Sequence, residues 1–179
     1  MFILMIFYLT TCQNNQSTYV HSLENMNDYK KNMELIAKNK GYELKEIDMI
    51  DIMDQKIKHI YLIDINEKEK VEVVLKWLEN GQSGSEYYET TYIRDGMEIQ
   101  KEYNQESIAF YVELTNGISK KKISLNDICK EIDSAFEQNE KVRLPHDFFE
   151  NHISYISYQK VGRLKITTEG VLYKTNRLW

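Results

Sequence analysis

Hydrophobic residues recur three or four positions apart in two stretches of this chain, which is the spacing of an amphipathic helix. The first stretch covers residues 25–40 and is followed by Gly41, a residue suited to ending a helix. The second covers residues 125–138, where Ser124 and Asp127 resemble a capping box. We therefore predict two helices with one apolar face each. The apolar positions are Met26, Tyr29, Met33, Ile36 and Ala37 in the first and Leu125, Ile128, Cys129, Ile132, Ala135 and Phe136 in the second.

Hydrophobic and polar residues alternate in much of the remaining chain, which is the period of a β-strand. Residues 71–77 show this alternation, and residues 59–65 form a short apolar run typical of a central strand. Residues 42–57 fit either kind of element, and we favour a strand because strands follow closely. Residues 80–85 are rich in glycine and serine and predict a loop.

Three dipeptides that favour tight turns lie between alternating segments, and each predicts a β-hairpin because glycine adopts positive φ angles readily. They are Asp95-Gly96 between residues 87–94 and 97–103, Asn116-Gly117 between residues 107–114 and 120–125, and Glu169-Gly170 between residues 164–168 and 171–178. A further strand is predicted over residues 153–161. The order of helix, strands, helix and strands predicts an α+β fold. Its sheet is largely antiparallel, built from a meander and hairpins, with two amphipathic helices.

The N-terminus carries an uninterrupted apolar segment, residues 1–9, before a polar stretch that runs from residue 13 to residue 22. The nine apolar residues would reach about 13 Å as a helix, whereas the hydrocarbon core of a bilayer is about 30 Å thick. The segment is therefore too short to span a membrane. It matches the hydrophobic part of a secretory signal peptide.

The sequence Leu9-Thr10-Thr11-Cys12 resembles the lipobox of bacterial lipoproteins, in which a leucine precedes two small residues and a cysteine. The resemblance implies cleavage before Cys12 and acyl chains on that residue. It also implies that the mature protein is held in the cell envelope by its lipid, since more than one acyl chain gives stable anchoring.

The lipobox divides the chain into a signal peptide at residues 1–11, a polar tether at residues 12–22 and a single α+β domain at residues 23–179. Two alternatives remain open. In the first alternative, the apolar segment is an ordinary cleaved signal peptide. In the second, residues 2–9 form a buried N-terminal strand of a soluble cytoplasmic protein. The polar stretch favours the lipoprotein, because it is typical of a flexible tether.

The charge balance argues against nucleic-acid binding. The formal net charge is −5, from 23 basic and 28 acidic residues, whereas proteins that bind nucleic acids usually carry a basic excess. We interpret the basic run at residues 120–122 as a solvated strand end. The sequence contains no phosphate-binding loop and no zinc or calcium motif, and Cys12 and Cys129 cannot build a metal site. We therefore predict no cofactor and no metal.

Aromatic residues gather near the Asp95-Gly96 turn and are candidates for a recognition surface. Tyrosine offers rigid, amphipathic contact area and is enriched in protein interfaces. The alternative is that these residues pack in the core and across strands. The candidates are Trp77, Tyr87, Tyr88, Tyr92 and Tyr103, with Tyr111 further along the chain.

Two polar clusters are candidates for chemistry. His146, Asp147, Glu150 and His152 lie close together after the single proline, and histidine is suited to acid–base work near neutral pH. The simpler interpretation is a turn that Phe148 and Phe149 anchor to the core.

A series of aspartates at Asp48, Asp51 and Asp54 repeats every three residues. Clustered carboxylates bind divalent cations when they are held together. A strand over this segment would instead send Asp51 to the face opposite Asp48 and Asp54, which leaves a solvated edge.

The leading functional hypothesis is a cell-envelope lipoprotein with a non-enzymatic binding or protective role, such as an immunity or inhibitor protein. Its partners would be the membrane, through the lipid on Cys12, and another protein. The competing hypothesis is an envelope hydrolase that uses His146 and His152 with a carboxylate. A third is the cytoplasmic protein with the buried N-terminal strand.

Overall fold

The computed structural model describes residues 26–52, 56–78, 87–96, 104–119, 122–138, 141–144, 153–159 and 163–172. The predicted signal peptide, residues 1–11, and the predicted tether, residues 12–22, lie outside the described residues. The described elements are three helices and seven strands. In chain order they are α1 (Met26–Asn39), β1 (Leu44–Ile52), β2 (Lys56–Asp64), β3 (Glu69–Leu78), β4 (Tyr87–Asp95), α2 (Gln105–Ile118), α3 (Leu125–Gln138), β5 (Lys141–Leu144), β6 (Ile153–Gln159) and β7 (Arg163–Val171).

The strands form one seven-stranded sheet in the order β1-β2-β3-β4-β7-β6-β5. All neighbouring strands are antiparallel. The first four make a meander, and α2 and α3 then carry the chain from β4 to the far edge at β5. From there β6 and β7 return towards the centre, so that β7 pairs with β4. The predicted α+β class with a largely antiparallel sheet is confirmed.

Helix α1 ends as its sequence predicts. Gly41 has a φ angle of 78°, a conformation that a Cβ atom would strain. The N–H of Tyr42 donates to the carbonyl of Ala37 (2.9 Å), and the N–H of Gly41 donates to the carbonyl of Lys38 (3.0 Å). These two bonds form a Schellman motif, which satisfies carbonyls that the helix end would otherwise leave unpaired.

The prediction of a strand over residues 107–114 is wrong, because this segment belongs to helix α2. Asn104 caps the helix, and its side chain accepts a hydrogen bond from the N–H of Glu106 (2.9 Å). The helix lies between α1, α3 and the sheet, so it is buried on most of its circumference. A helix that is apolar nearly all round has no polar face to reveal its period. The alternation of Ile108 and Phe110 with smaller residues then imitates a strand.

Three predicted turns are also corrected. Asn116-Gly117 lies inside α2, and Glu169-Gly170 lies inside β7. Gly96 does adopt a positive φ of 76°, but β3 and β7 occupy the two edges of β4, which leaves neither edge for a hairpin partner. The strand predicted on the far side of that turn, residues 97–103, lies outside the described residues.

The predicted return strand over residues 120–125 is wrong as well, because residues 122–124 form no regular element and α3 begins at Leu125. The strand predicted over residues 153–161 is confirmed as β6. Its hairpin partner is β7, which pairs with it from Arg163 opposite Gln159 onward.

The core lies on one face of the sheet, beneath all three helices. Successive strand residues point to opposite faces, and the strand residues of the core cluster share one face. Val74 points to the other face and does not belong to the core cluster. The helices contribute Tyr29, Met33, Ile36, Ala37, Ile108, Phe110, Tyr111, Val112, Leu114, Ile118, Ile128 and Ile132, and the strands contribute Tyr61, Ile63, Val71, Val73, Leu75, Tyr88, Tyr92, Leu164 and Ile166.

Hydroxyl groups link α2 to the sheet inside this core. Three pairs cross the contact, all between fully buried side chains: Tyr88 with Ser119 (2.8 Å), Thr90 with Thr115 (2.8 Å) and Tyr111 with Thr168 (2.5 Å). Burial raises the pKa of Tyr111 to about 12, so its phenol stays protonated and able to donate. Pairing removes the cost of burying hydroxyls without partners.

Helix α1 crosses α2 at Gly117. The amide of Asn32, which is buried, donates to the carbonyl of Gly117 (2.8 Å). A Cβ atom at Gly117 would lie 2.4 Å from Cδ1 of Ile36. A larger residue at this position would therefore force the end of the Ile36 side chain to move within the buried helix contact.

We expect Gly117→Ala to destabilise the protein by about 1 to 2 kcal/mol, because the added methyl group overpacks the helix contact. Helix propensity alone predicts a stabilisation of up to about 1 kcal/mol, so the two effects have opposite signs. Urea unfolding measures the difference. The control is the double variant with Ile36→Val, which removes Cδ1 and should recover part of the loss. A stabilised Gly117→Ala variant would contradict the contact.

Candidate functional site

The face of the sheet opposite the helices is here called the open face. It carries Ile60 and Leu62 of β2, Glu72, Val74 and Lys76 of β3, Tyr87, Glu89, Thr91 and Ile93 of β4, and Lys165, Thr167 and Glu169 of β7. All three helices pack on the other face. Antiparallel sheets commonly cover one face and leave the second to solvent or to partners.

The open face mixes apolar and charged side chains. Ile60 and Val74 lie opposite each other across β2 and β3, and Glu89 and Glu169 continue the same row across β4 and β7. Val74 is buried, whereas Ile60 and the two glutamates are partly exposed. Cations flank this row, so the face as a whole has no dominant charge.

The apolar surface that stands out among the described residues is on the edge strand β1. Ile47 is 51% exposed and Met49 is 63% exposed. Among the described residues, these are the large hydrophobic side chains with high exposure. The register shifts between Glu46 and Asp48, so Ile47 is the extra residue of a β-bulge. Within the described sheet, no strand pairs with the outer edge of β1. This strand therefore offers backbone groups and apolar side chains together.

The charges on β1 differ in how they are compensated. Lys45 forms an ion pair with Asp64 on β2 (3.2 Å). Glu46 Oε2 accepts from Nζ of Lys30 on α1 (3.0 Å), and its Oε1 lies 2.6 Å from Nδ1 of His59 on β2. The carboxylate of Asp48 is exposed and accepts the N–H of Met49 (2.8 Å).

The Glu46 cluster ties the edge strand to the helix layer. The hydrogen bond from His59 is the main cause that lowers the pKa of Glu46, and Lys30 adds to it against the opposing effect of burial. The His59 ring also stacks on Tyr61, with 6.0 Å between ring centroids. This arrangement holds the Leu44–Ile52 strand in place beside α1.

The predicted tyrosine candidates fall in different layers. Tyr87 lies half-buried on the open face, with Nζ of Lys76 over its ring at 4.2 Å from the centroid, a cation–π contact. Tyr88 and Tyr92 point the other way and are fully buried in the core. Alternation along β4 dictates this separation. Tyr88 and Tyr92 are therefore core residues and not part of an exposed aromatic face, which corrects their assignment to a binding surface.

The structure describes the remaining aromatic candidates only in part. The backbone of Trp77 lies in β3 opposite Ile57. Tyr103 and Cys12 lie outside the described residues. Tyr111, from the wider aromatic group, is buried in α2.

The two polar clusters are only partly described. His146, Asp147, Glu150 and His152 lie outside the described residues, so the hydrolase hypothesis stays a prediction. The predicted strand over residues 42–57 is confirmed in β1 and the start of β2. The bulge lies before the aspartates and leaves the predicted alternation of the first two unchanged, because Asp48 pairs with Ile60 and Asp51 with Ile57 in an unbroken register, while Asp54 lies outside the described residues.

No sequence pattern indicates the buried carboxylate of Glu69, the first residue of β3. Its oxygens accept hydrogen bonds from the hydroxyl of Tyr92 (2.5 Å), the amide of Asn66 (2.5 Å) and the hydroxyl of Ser107 (3.2 Å). Arg94 approaches the same carboxylate at 3.6 Å. The donors come from the β2–β3 turn, from β4 and from α2, so only the folded chain brings them together.

The Glu69 cluster has the character of a structural centre. Burial, followed by the hydrogen bond to Glu69, raises the pKa of Tyr92, so its phenol remains protonated and donates to the carboxylate. Burial also raises the pKa of Tyr42, with Glu106 and Glu69 adding to the effect. Several hydrogen bonds compensate for taking the Glu69 carboxylate out of water. Their combined effect is to fix the start of α2 against β3 and β4.

Two features are absent from the described part of the chain. No group of three or more His, Cys, Asp or Glu side chains within it is arranged to hold a metal ion. None of its helices combines the length and apolar character needed to cross a bilayer. Cys129 is half-buried against the core.

Comparison of the chain with protein-family models, curated proteins and solved structures gives no match.

We expect Tyr92→Phe to lower the free energy of unfolding by about 1.5 to 3 kcal/mol, because it removes a hydrogen bond to a buried carboxylate. The matched control is Tyr87→Phe on the opposite face of the same strand, which should change stability by less than about 0.5 kcal/mol. Urea unfolding of both variants makes the measurement. Equal effects would contradict the separation of the two tyrosines between core and open face.

The Glu46 cluster predicts a pH-dependent contribution to stability. Because the folded-state pKa of Glu46 lies below its unfolded value, the contribution is complete above about pH 4.3 and is lost as the pH falls through the folded-state pKa. Glu46→Gln should therefore lower the free energy of unfolding at neutral pH, by about 0.5 to 1 kcal/mol, and have little effect in acid.

Urea titrations on both sides of that transition test this expectation. The exposed neighbour Glu43 supplies the control, since Glu43→Gln should leave stability unchanged at either pH. A loss for Glu46→Gln that persists in acid would show that shape, and not charge, accounts for it.

Proposed function

We propose that the protein is a cell-envelope lipoprotein whose folded domain binds another protein. Cys12 is the lipidated residue, the polar residues after it form the tether, and the edge of the sheet at β1 receives the partner. The role is one of binding or protection, as in an immunity or inhibitor protein.

The observation that carries the binding role is the exposure of Ile47 and Met49 on an edge strand. Apolar side chains that remain exposed on a sheet edge favour association with other chains, and natural proteins usually protect such edges. A protein partner covers apolar side chains and backbone groups at the same time. Tyr87 and Ile60 on the open face extend the available surface.

The support for the envelope anchor comes from the sequence, because Leu9-Thr10-Thr11-Cys12 resembles a lipobox. A tether of polar residues lets a folded domain stand away from the membrane and turn towards a partner. Anchoring also limits the partner to the same compartment, which raises the effective concentration of both proteins.

The first test of this function is the intact mass of the protein purified from its native host. We expect a mature chain that begins at Cys12 and carries acyl chains, recovered in the membrane fraction. The Cys12→Ala variant should keep its signal segment and lose the acyl mass. An unprocessed chain outside the membrane fraction would overturn the lipoprotein assignment.

The binding role is tested by placing a photo-crosslinking residue at Met49 in cells of the native host. A specific protein adduct is expected from this position. The matched control carries the same residue at Glu43, which is exposed but precedes the edge strand. Identical adducts from both positions, or none from Met49, would contradict a partner at the β1 edge.

A further inference from the structure

We infer that Met49 is a site of reversible oxidation, and that its conversion to the sulfoxide by a peroxide releases the partner from the β1 edge. The modification site follows from the exposure and surroundings of the Met49 side chain. Its effect on the partner rests on the proposed binding function and adds a means of regulation to that same surface.

The described part of the chain contains three methionines in different surroundings. Met33 is fully buried in the core, and Met26 is half-buried against it. Met49, in contrast, is 63% exposed. A dissolved oxidant reaches a buried thioether only when the fold opens locally, whereas an exposed one reacts in the native state. Met49 is therefore the described methionine that a peroxide oxidises first.

The oxidation transfers one oxygen atom to the side chain. A lone pair of the Met49 sulfur attacks an oxygen of hydrogen peroxide, the O–O bond breaks and an S–O bond forms. The sulfur loses two electrons, and the remaining oxygen of the peroxide leaves as water. A methionine sulfoxide reductase reverses the change with two thiols, which become a disulfide while the oxygen leaves as water. The proposed envelope location places the domain in an oxidising compartment.

Oxidation of Met49 changes the surface of β1 and leaves the strand in place. Glu46 joins the strand to Lys30 and His59, and Met49 itself pairs through its backbone opposite His59. The side chain of Met49 does not belong to the core cluster. Its sulfoxide is therefore compatible with the fold, whereas the same change at Met33 would place an unpaired polar group in the core.

The edge that a partner covers becomes polar on oxidation. Ile47 and Met49 supply the exposed apolar side chains of this edge. Burial of a thioether stabilises a complex, whereas a sulfoxide oxygen loses bound water on burial and needs a new donor. Losing the contribution of one buried methionine corresponds to about tenfold in affinity. Oxidation thus weakens the complex, and reduction restores it.

The modification site is tested on the full-length protein, purified from its native host and treated with hydrogen peroxide. Proteolysis and tandem mass spectrometry follow the added oxygen at each methionine over time. We expect complete oxidation of Met49 while Met33 stays reduced, with the circular dichroism of the folded domain unchanged. A methionine sulfoxide reductase with dithiothreitol should then remove the oxygen. Oxidation of Met33 at the same rate as Met49 would overturn the inference.

The effect on the partner is measured with a photo-crosslinking residue at Ile47, which leaves Met49 intact. Cells of the native host are treated with hydrogen peroxide before illumination, and the yield of the adduct is compared with that of untreated cells. We expect the yield to fall about tenfold. Met49→Gln introduces a polar amide in place of the thioether and should lower the yield similarly without peroxide.

Met49→Leu provides the matched control, because leucine is apolar and of similar size and peroxide does not oxidise it. Whatever the yield of this variant, it should be the same with and without peroxide. A yield that still falls with peroxide in Met49→Leu would assign the effect to another residue and overturn the inference. A Met49→Gln variant with an undiminished yield would overturn it as well.

Failure of this inference is distinct from failure of the proposed function. The absence of an adduct from Ile47 in untreated cells would contradict the binding role and, with it, the release of a partner. An adduct whose yield persists after complete oxidation of Met49 would overturn the regulation and leave the binding role intact.

Discussion

The burial of helix α2 is the constraint on which the rest of the structure depends. This helix lies in the centre of the core, and its contact with the sheet includes hydroxyl groups as well as apolar side chains. Each such group must find a partner inside the protein, because water does not reach it. The pairs formed by Thr115 with Thr90 and by Tyr111 with Thr168 meet this requirement and fix the helix on β4 and β7. At its N-terminal end, Ser107 reaches the carboxylate of Glu69, and the register of the helix is thereby set at both ends.

The position of α2 also decides which surfaces remain available. Since α1 and α3 pack beside it on the same face, the opposite face of the sheet keeps its half-exposed mixture of apolar and charged residues. The edge strand β1 is held from one side, where Glu46 connects it to Lys30 and His59. Ile47 and Met49 thus remain exposed on a strand whose position is fixed. A preorganised edge of this kind loses little conformational freedom on binding, which favours affinity.

Sequence patterns predicted those elements that have one face buried against the core and the other face exposed to solvent. Helices α1 and α3 each cover the core with one face, so their apolar spacing appears in the sequence, and the end of α1 at Gly41 follows from local chemistry. The sequence of helix α2 imitates a strand because its buried circumference hides the helical period. In the candidate site, too, local alternation predicts one part and tertiary packing decides the other. Alternation along β4 indicates that Tyr87 and Tyr88 lie on opposite faces, but only the packing of the helices decides which of them is exposed.

The sequence by itself determined the α+β class, two of the three described helices and most of the strands, and its resemblance to a lipobox is the basis of the proposed envelope anchor. These depend on short-range periodicity and local turn chemistry, which a few neighbouring residues encode. The tertiary structure decided the strand order, the exposed edge at β1 and the cluster around Glu69. Strand order brings β7 beside β4 across more than sixty residues of sequence, and no local pattern specifies that pairing. The donors to Glu69 likewise come from separate elements, because a buried carboxylate draws its partners from whichever segments the fold brings near it.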